Sequence, residues 1–289
     1  MRLAFYRSAK EGCRLIAGIF RTGMLVHGDT LDEHAIGGDF NNPADAIAVL
    51  AVKRREIFDY AQANEIPLLY FDKGYTRTRD WKRIAFNGCE PGTSLGLYGF
   101  KHDRRRLFNW EPKPWRTEGN HIVIASSSPK EHKWRNLPPP EEHAAQLVEE
   151  LRLYTDRPIL YRCKPNLNEK GTVPGTIQSE DGRTIQEDLK GAHALITVGS
   201  SVALWAALEG VPSIILGDAV SVGFSSSSLS NIEHPRLGTE EEVIAVLNDL
   251  AYHQWSMEEF ESGKAWSYIK RMLFINAIKQ WQKTHDDTS

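Results

Sequence analysis

The sequence predicts an α/β protein of two doubly wound, Rossmann-like lobes facing a cleft. Three observations predict it. Short apolar runs recur through the chain, as the fully buried strands of parallel sheets do. Charged or amphipathic helical stretches alternate with them. Polar or small-residue turns follow four of the strands, at Asp72–Tyr75, Ser126–Ser128, Arg162–Lys164 and Gly199–Ser201, and ligands of such sheets bind beyond the carboxyl ends of strands.

Leu3–Tyr6 and Leu15–Phe20 are short apolar segments. Ala46–Val52 reads as a buried strand, followed by a charged helix from Lys53 to about Asn64. Ile66-Pro67 leads into the strand Leu68–Phe71. Residues 73–120 are rich in Gly, Arg and aromatics without a clear period, the pattern of a functional loop region or linker. A second run begins at His121–Ala125. The triple proline Pro138–Pro140 precedes a helix at 141–154, and Pro158–Tyr161 is a strand. A short helix near Ile185–Lys190 leads to the strand Ala194–Val198, an amphipathic helix ending at Gly210, and the strand Ser213–Leu216. Glu240–Leu250 is helical, as is Ser256 to about Lys283, where Trp266, Ile269, Leu273, Ala277 and Trp281 share one face. The expected division is 1–118, 119–270 and a C-terminal helix at 271–289 that packs back on the first lobe.

A length of 289 residues accommodates one large domain or two modest ones. The composition, 41% hydrophobic and 25% charged, is that of a soluble globular chain. No apolar run is long enough to span a membrane, and the N-terminus lacks the apolar core of a signal peptide. Cys13, Cys89 and Cys163 show neither metal spacing nor a disulfide framework, which points to a reducing cytoplasm. The net charge of −3 is uneven: residues 53–136 hold 17 Lys and Arg against 10 Asp and Glu. An acidic protein with one basic stretch offers a local surface to an anionic partner.

The turn Gly199-Ser200-Ser201 joins a buried strand to a helix. Such a turn exposes backbone N–H groups and the positive end of a helix dipole, a ready phosphate site, and it suggests a nucleotide or nucleotide-sugar ligand. Ser200 and Ser201 suit that role, although helix capping explains them equally. Arg162 and Lys164 bracket Cys163 at a strand end, and a guanidinium fork beside an ammonium suits a diphosphate. A solvated strand end is the plainer alternative. Glu209 closes its helix as a carboxylate against the dipole, a placement that gripping ribose hydroxyls would explain and simple exposure would too. In the stretch Lys101–Arg116, Arg104, Arg105 and Arg106 interleave with Phe108, Trp110 and Trp115, and Lys130, Lys133 and Arg135 lie just beyond. Cations for phosphates and rings for stacking are the ingredients of nucleic-acid contact; a charged loop with buried aromatics is the alternative.

GSSVALWAALEGVPSIILGDA, with the upstream YRCKPN and the downstream LAYHQWSMEEFESGKAW, resembles glycosyltransferases of the GT-B fold. The likeness is to phage and prophage proteins and, more remotely, to capsule-polysaccharide transferases. It is best over about 121–270. In the first half only FDKGYTRTRDWKR and the following NG are similar. The resemblance implies an acceptor-binding lobe at 1–118 and a nucleotide-sugar lobe at 119–270. It implies that Lys164, Ser200, Ser201 and Glu209 serve the donor, a UDP-sugar by expectation, and that Ser126, Ser127 and Ser128 meet its diphosphate; Arg162 and Gly199 join the expected donor-binding residues from the strand-end readings above. The segment Gly217–Ser228 is then a lid or a plain disordered loop.

Glycosyl transfer needs an activated acceptor hydroxyl and charge stabilisation on the leaving diphosphate. Asp72, at a strand end beside Gly74, is the first candidate base, or else a turn cap; His27 and Asp29 come next. Arg77, Arg79 and Arg83 are candidates for phosphate contacts, with Arg77 assigned to catalysis. No Asp-x-Asp motif occupies a strand-end loop, so nothing visible requires a metal, although Mg²⁺ would assist the diphosphate.

The expected activity is transfer of a sugar to a hydroxymethylated pyrimidine in double-stranded phage DNA, in the host cytoplasm, by a monomer with no membrane partner. Arg83, Lys101, Arg104, Arg105, Arg106, Trp110, Lys133 and Arg135 are the expected DNA face. The alternatives are the same chemistry on a surface glycan or lipid-linked saccharide, a nucleotide-sugar epimerase-like enzyme, and a non-catalytic DNA-binding module.

Overall fold

The computed structural model describes residues 1–40, 43–76, 80–92, 95, 100, 104–164 and 171–286, with side chains as far as Ile275. Arg77, Arg79 and Lys101 lie outside the described residues, as do the side chains of Ala277 and Trp281. Two units make up the chain. Unit 1 comprises Met1–Pro91 and Ala251–Ser289, and unit 2 comprises Gly92–Leu250. The boundary therefore falls before the basic-aromatic stretch rather than at 118/119, and the return to unit 1 starts at Ala251 rather than at 271. Backbone bonds explain the first shift. Lys113 N–H donates to Leu208 O at 3.0 Å and Arg116 N–H to Gly210 O at 2.7 Å, so that stretch is stitched to unit 2.

The strands are β1 (Arg2–Arg7), β2 (Thr30–Ala35), β3 (Ala46–Leu50), β4 (Leu68–Lys73), β5 (Trp81–Phe86), β6 (His121–Ala125), β7 (Ile159–Arg162), β8 (Ile177–Gln178), β9 (Ala192–Thr197), β10 (Ser213–Ile215) and β11 (Gln254–Ser256). The helices are α1 (Glu11–Leu25), α2 (Arg55–Ala63), α3 (Pro129–Trp134), α4 (Pro140–Leu151), α5 (Ile185–Leu189), α6 (Val202–Leu208), α7 (Glu240–Ala251), α8 (Met257–Glu261) and α9 (Lys264–Asp286).

Unit 1 carries a six-stranded sheet in the order β11-β5-β4-β3-β1-β2. Neighbours from β4 to β2 are parallel, and β5 runs antiparallel to both β4 and β11. Its core is aromatic. Phe20 of α1 stacks edge-on to Phe71, Phe260 and Trp266, with ring centroids 5.1, 5.3 and 5.5 Å apart. Burying each ring contributes roughly 1.5–3 kcal/mol, which anchors α8 and α9 to the N-terminal half of the unit. The apolar segment Leu15–Phe20 is part of the 15-residue helix α1. The single C-terminal helix expected from Ser256 is two, broken at Gly263 in a left-handed turn.

Unit 2 carries a five-stranded sheet, all parallel, in the order β10-β9-β6-β7-β8. Ile122, Ile124, Tyr161 and Ile196 pack on Ala144, Leu147, Val148 and Leu151 of α4. Val123, Ala125 and Leu195 face the opposite way, onto Ile185 and Leu189 of α5 and Val202 and Ala206 of α6. Burial on both faces is why these strands read as unbroken apolar runs. The helix α6 differs from expectation: it has seven residues, all buried except half-buried Trp205, so it is not amphipathic. The segment Gly217–Ser228 differs too. Ala219, Val220, Ser221, Phe224 and Ser226 are buried, and Ser226 bonds back to Ser213 and Ile215. Its serines made it look like a lid or a disordered loop; its apolar residues pack it down.

Among the described residues, no helix is long and apolar enough to cross a membrane.

Candidate functional site

In unit 2 the chain leaves β6 to one side for β7 and β8, then returns to the other side for β9 and β10. The order reverses between β6 and β9. The crevice beyond their carboxyl ends is the topological switch point, where open α/β sheets bind ligands. The turns that flank it are Ser126–Ser128 after β6 and Val198–Ser201 after β9. Lys164, two residues past β7, and Gly217-Asp218 past β10 complete the carboxyl edge.

Each part has a local cause. Ser126 N–H donates to Arg162 O at 3.0 Å, which holds the end of β6 against β7. Ser127 is buried. Ser128 caps α3, its Oγ accepting Glu131 N–H at 3.3 Å, with Pro129 opening the helix. Ser200 Oγ lies 3.4 Å from Val202 N, while Ser201 makes no side-chain cap. The N–H groups of Gly199 and Ser200 make no hydrogen bond to another described residue. Tyr161, on β7 beneath the edge, is pushed up to about 12 by burial, against a weaker pull from the Ser126 side chain.

Arg135 reaches this edge from α3. Its Nε donates to Glu131 Oε1 at 3.0 Å, and its Nη2 donates to Asp218 O at 3.2 Å. A Cβ on Gly199 would collide with Nη2 and Cζ, and one on Gly217 would lie 3.0 Å from Nη1. The guanidinium thus lies over the turn after β9, in space that only glycine leaves open at Gly199, while Gly217, whose own Cβ would first meet Val198 O, has Nη1 beside it. Arg135, expected on a DNA face, lies at the strand ends of unit 2.

Two residues expected at the donor site are elsewhere. Arg162 turns onto the α5 face. It pairs there with Asp188, which is fully buried, and donates to Ser179 Oγ at 3.3 Å and Arg183 O at 2.9 Å. Ser179 and Arg183 complete the ring around Asp188, at 2.7 and 2.8 Å. The guanidinium is therefore committed to an internal ion pair. Glu209 caps the far end of α6. A helix between two parallel strands runs back from the carboxyl edge to the amino edge, so Glu209 sits at the opposite edge from Gly199–Ser201 and pairs there with exposed Lys113. At the adjacent Gly210, φ is +66° and a Cβ would collide with Pro114 O; this turn is built for close packing.

Three residues of the expected DNA face lie in the interior of unit 2. Arg104, Arg105 and Trp110 are buried. Arg105 Nη1 donates to Trp110 O at 2.9 Å and pairs with Glu111 at 2.6 Å. Arg83 pairs with Glu90 and, at 3.5 Å, with Asp72, and stacks 5.4 Å from the Tyr75 ring. Burial lowers the affinity of Arg83 for its proton, but Glu90, Tyr75 and Asp72 raise it well above the usual range. Arg106 and Lys133 are exposed.

In unit 1, Asp72 lies near the carboxyl end of β4, with 32% of its side chain exposed. Lys73 N–H donates to its Oδ1 at 2.8 Å, and Tyr70 Oη lies 3.4 Å from its Oδ2. Gln254, missed in the sequence, is fully buried, and its Oε1 accepts Tyr75 N–H at 2.9 Å, which fixes the turn after β4. Asp29 is not a free base. Burial pushes its carboxyl up, but bonds from Lys270, the Met1 nitrogen and Trp266, at 2.8, 2.6 and 2.6 Å, hold it well below the usual range. His27 Nε2 lies 2.8 Å from Gly263 O, at the α8–α9 break. Among the described residues no group of three or more His, Cys, Asp or Glu side chains is placed to hold a metal ion.

No protein-family model and no curated protein matches the sequence. Among solved structures the chain is similar to the beta Kdo 2,4 transferase of Thermosulfurimonas dismutans KpsC. The TM-score is 0.51 at 11% identity, over 84% of this chain and 89% of that one. It is also similar to the beta Kdo 2,7 transferase of the same KpsC, with a TM-score of 0.48 at 10% identity, over 90% and 99%. The first likeness establishes the fold. The two Rossmann-like α/β units are those expected from the sequence.

Proposed function

We propose that this protein is a glycosyltransferase that binds a nucleotide-sugar donor at the carboxyl edge of the unit 2 sheet. What supports the reading is that Ser126–Ser128 and Gly199–Ser201 follow the two strands that flank the switch point, with Arg135 over Gly199 and Lys164 two residues past β7. The unengaged N–H groups of Gly199 and Ser200, with a fixed guanidinium and an exposed lysine on the same edge, would stabilise the phosphates of a donor and the charge that develops as the nucleotide leaves. The fold shared with a Kdo transferase agrees with it.

A saccharide is the acceptor class this reading favours. One structural neighbour is a beta Kdo 2,4 transferase, and the basic-aromatic stretch that carries the DNA alternative has Arg104, Arg105 and Trp110 in the interior of unit 2. Asp72 is the candidate to take the proton of the acceptor hydroxyl, because it is a partly exposed carboxylate at a strand end of unit 1.

The test is incubation with a panel of nucleotide sugars, each with a saccharide panel or with hydroxymethylcytosine DNA, followed by mass spectrometry. A sugar-sized mass gain on a saccharide supports the reading. A gain on DNA nucleosides alone returns the acceptor to DNA. Interconversion of free nucleotide sugars without acceptor identifies an epimerase. No product with any donor overturns the proposal.

A further inference from the structure

We propose that Arg135 is the residue that anchors the donor's phosphate, held ready for it by Glu131 and Asp218. The proposal rests on the nucleotide-sugar reading and assigns a side chain to it. Two of the three guanidinium nitrogens are oriented within the fold, Nε by Glu131 and Nη2 by the Asp218 carbonyl. Nη1 has no hydrogen-bond acceptor among the described residues, and the side chain keeps 17% of its surface exposed. That nitrogen lies beside Gly217, at the strand end of β10, while the guanidinium body lies against Gly199 beside β9.

A strut between α3 and the loop after β10 would need Glu131 and the Asp218 carbonyl alone. It would not need the guanidinium to lie over Gly199 with Nη1 beside Gly217. A phosphate group does need that arrangement. It would meet the Nη1 edge and the adjacent N–H groups of Gly199 and Ser200 together, and a planar fork already oriented loses little freedom on binding. Glu131 offsets part of the charge but also fixes the plane. Exposed Lys130, Lys133 and Lys164 supply the surrounding positive field.

The experiment is isothermal titration of UDP, CMP, GDP and pyrophosphate into the wild-type chain, R135Q, R135K and G199A, with a urea denaturation of each. R135Q is expected to weaken nucleotide and pyrophosphate binding about 10- to 100-fold, the range for losing a charge-assisted bond. R135K is expected to fall between, because it keeps the charge and loses the fork. G199A leaves the arginine in place but displaces its guanidinium, and is expected to weaken binding like R135Q. A wild-type chain that binds none of the four probes overturns the nucleotide-donor reading itself. Wild-type binding matched within twofold by R135Q and G199A, with only the urea midpoint lowered, overturns the role of Arg135 alone. If R135Q fails to fold, R135K and G199A decide in the same way.

Discussion

The carboxyl edges of the two sheets handle charge in opposite ways. In unit 1 the charges near the end of β4 pair across the sheet: Asp72 faces Arg83 in register, and Arg83 is shared with Glu90. In unit 2 the turns after β6 and β9 are small and neutral, and the cation there comes from outside the sheet, as Arg135 laid over Gly199 with Nη1 beside Gly217. A charge in a strand near its end thus tends to be neutralised by its neighbours. A charge delivered from a helix over a glycine turn keeps an edge for a ligand. Arg162 and Arg135 make the same contrast inside unit 2, the first closed into a ring around Asp188 and the second left partly open.

Asp188→Asn breaks that contrast hardest. Removing one member of a buried ion pair costs about 3–5 kcal/mol, and Arg162 and Arg183 would both lose their carboxylate. Urea denaturation should show that loss, while the fraction that remains folded still binds nucleotide. Loss of nucleotide affinity without loss of stability would return Arg162 to the donor site.

Asp72→Asn probes the paired edge. As the candidate base it should lower kcat about 100-fold with KM for the donor nearly unchanged. Its exposed carboxylate and long contact to Arg83 predict a stability change within about 0.5 kcal/mol. A stability loss with kcat intact would make Asp72 a partner of Arg83 and nothing more.

The fold was legible where burial is two-sided. The runs Ala46–Val52, Leu68–Phe71, His121–Ala125 and Ala194–Val198 become β3, β4, β6 and β9 within a residue or two, because strands covered on both faces must be apolar throughout. β5 was hidden in the irregular stretch, since WKRIAF places Lys82 and Arg83 mid-strand. β2, an edge strand reading TLDEHA, and β11, three residues long, carry no such pattern. Turns at strand ends were legible for the same reason as the strands. The partners of charged side chains were not. Asp188 lies 26 residues beyond Arg162, and nothing in the spacing announces that pair. A clue to Arg135 was present in Glu131, four residues earlier on a short helix, but Gly199, over which the guanidinium lies, and Gly217 beside it come far later in the chain, after β9 and β10.

Acid should separate the units next. Asp29 is held below its ordinary pKa in the fold, so it adds stability above the unfolded carboxylate value, about 3.9, and loses it as pH falls below that. Its partners Trp266 and Lys270 belong to α9, so unit 1 should loosen first on acidification. Tryptophan fluorescence and far-ultraviolet circular dichroism between pH 5 and pH 2 would follow it. Asp29→Asn should be less stable than wild type at neutral pH and should flatten that part of the acid profile. An unchanged profile would mean that other carboxylates govern acid unfolding.

The smallest effect is expected at Glu209, where an absence of change carries the information. The residue caps α6 at the amino edge of the unit 2 sheet and pairs with Lys113, whose side chain is 62% exposed. Exposed pairs of this kind are worth about 0–1 kcal/mol, so Glu209→Gln should shift the urea midpoint only slightly. Nucleotide affinity should stay within twofold of wild type, because the strand-end turns that meet the donor lie at the other end of the helix. A ribose-gripping role predicts the reverse, weaker binding of UDP or CMP with pyrophosphate binding unchanged. That pattern would move the donor pocket away from the β6–β9 switch point and take Arg135 out of it.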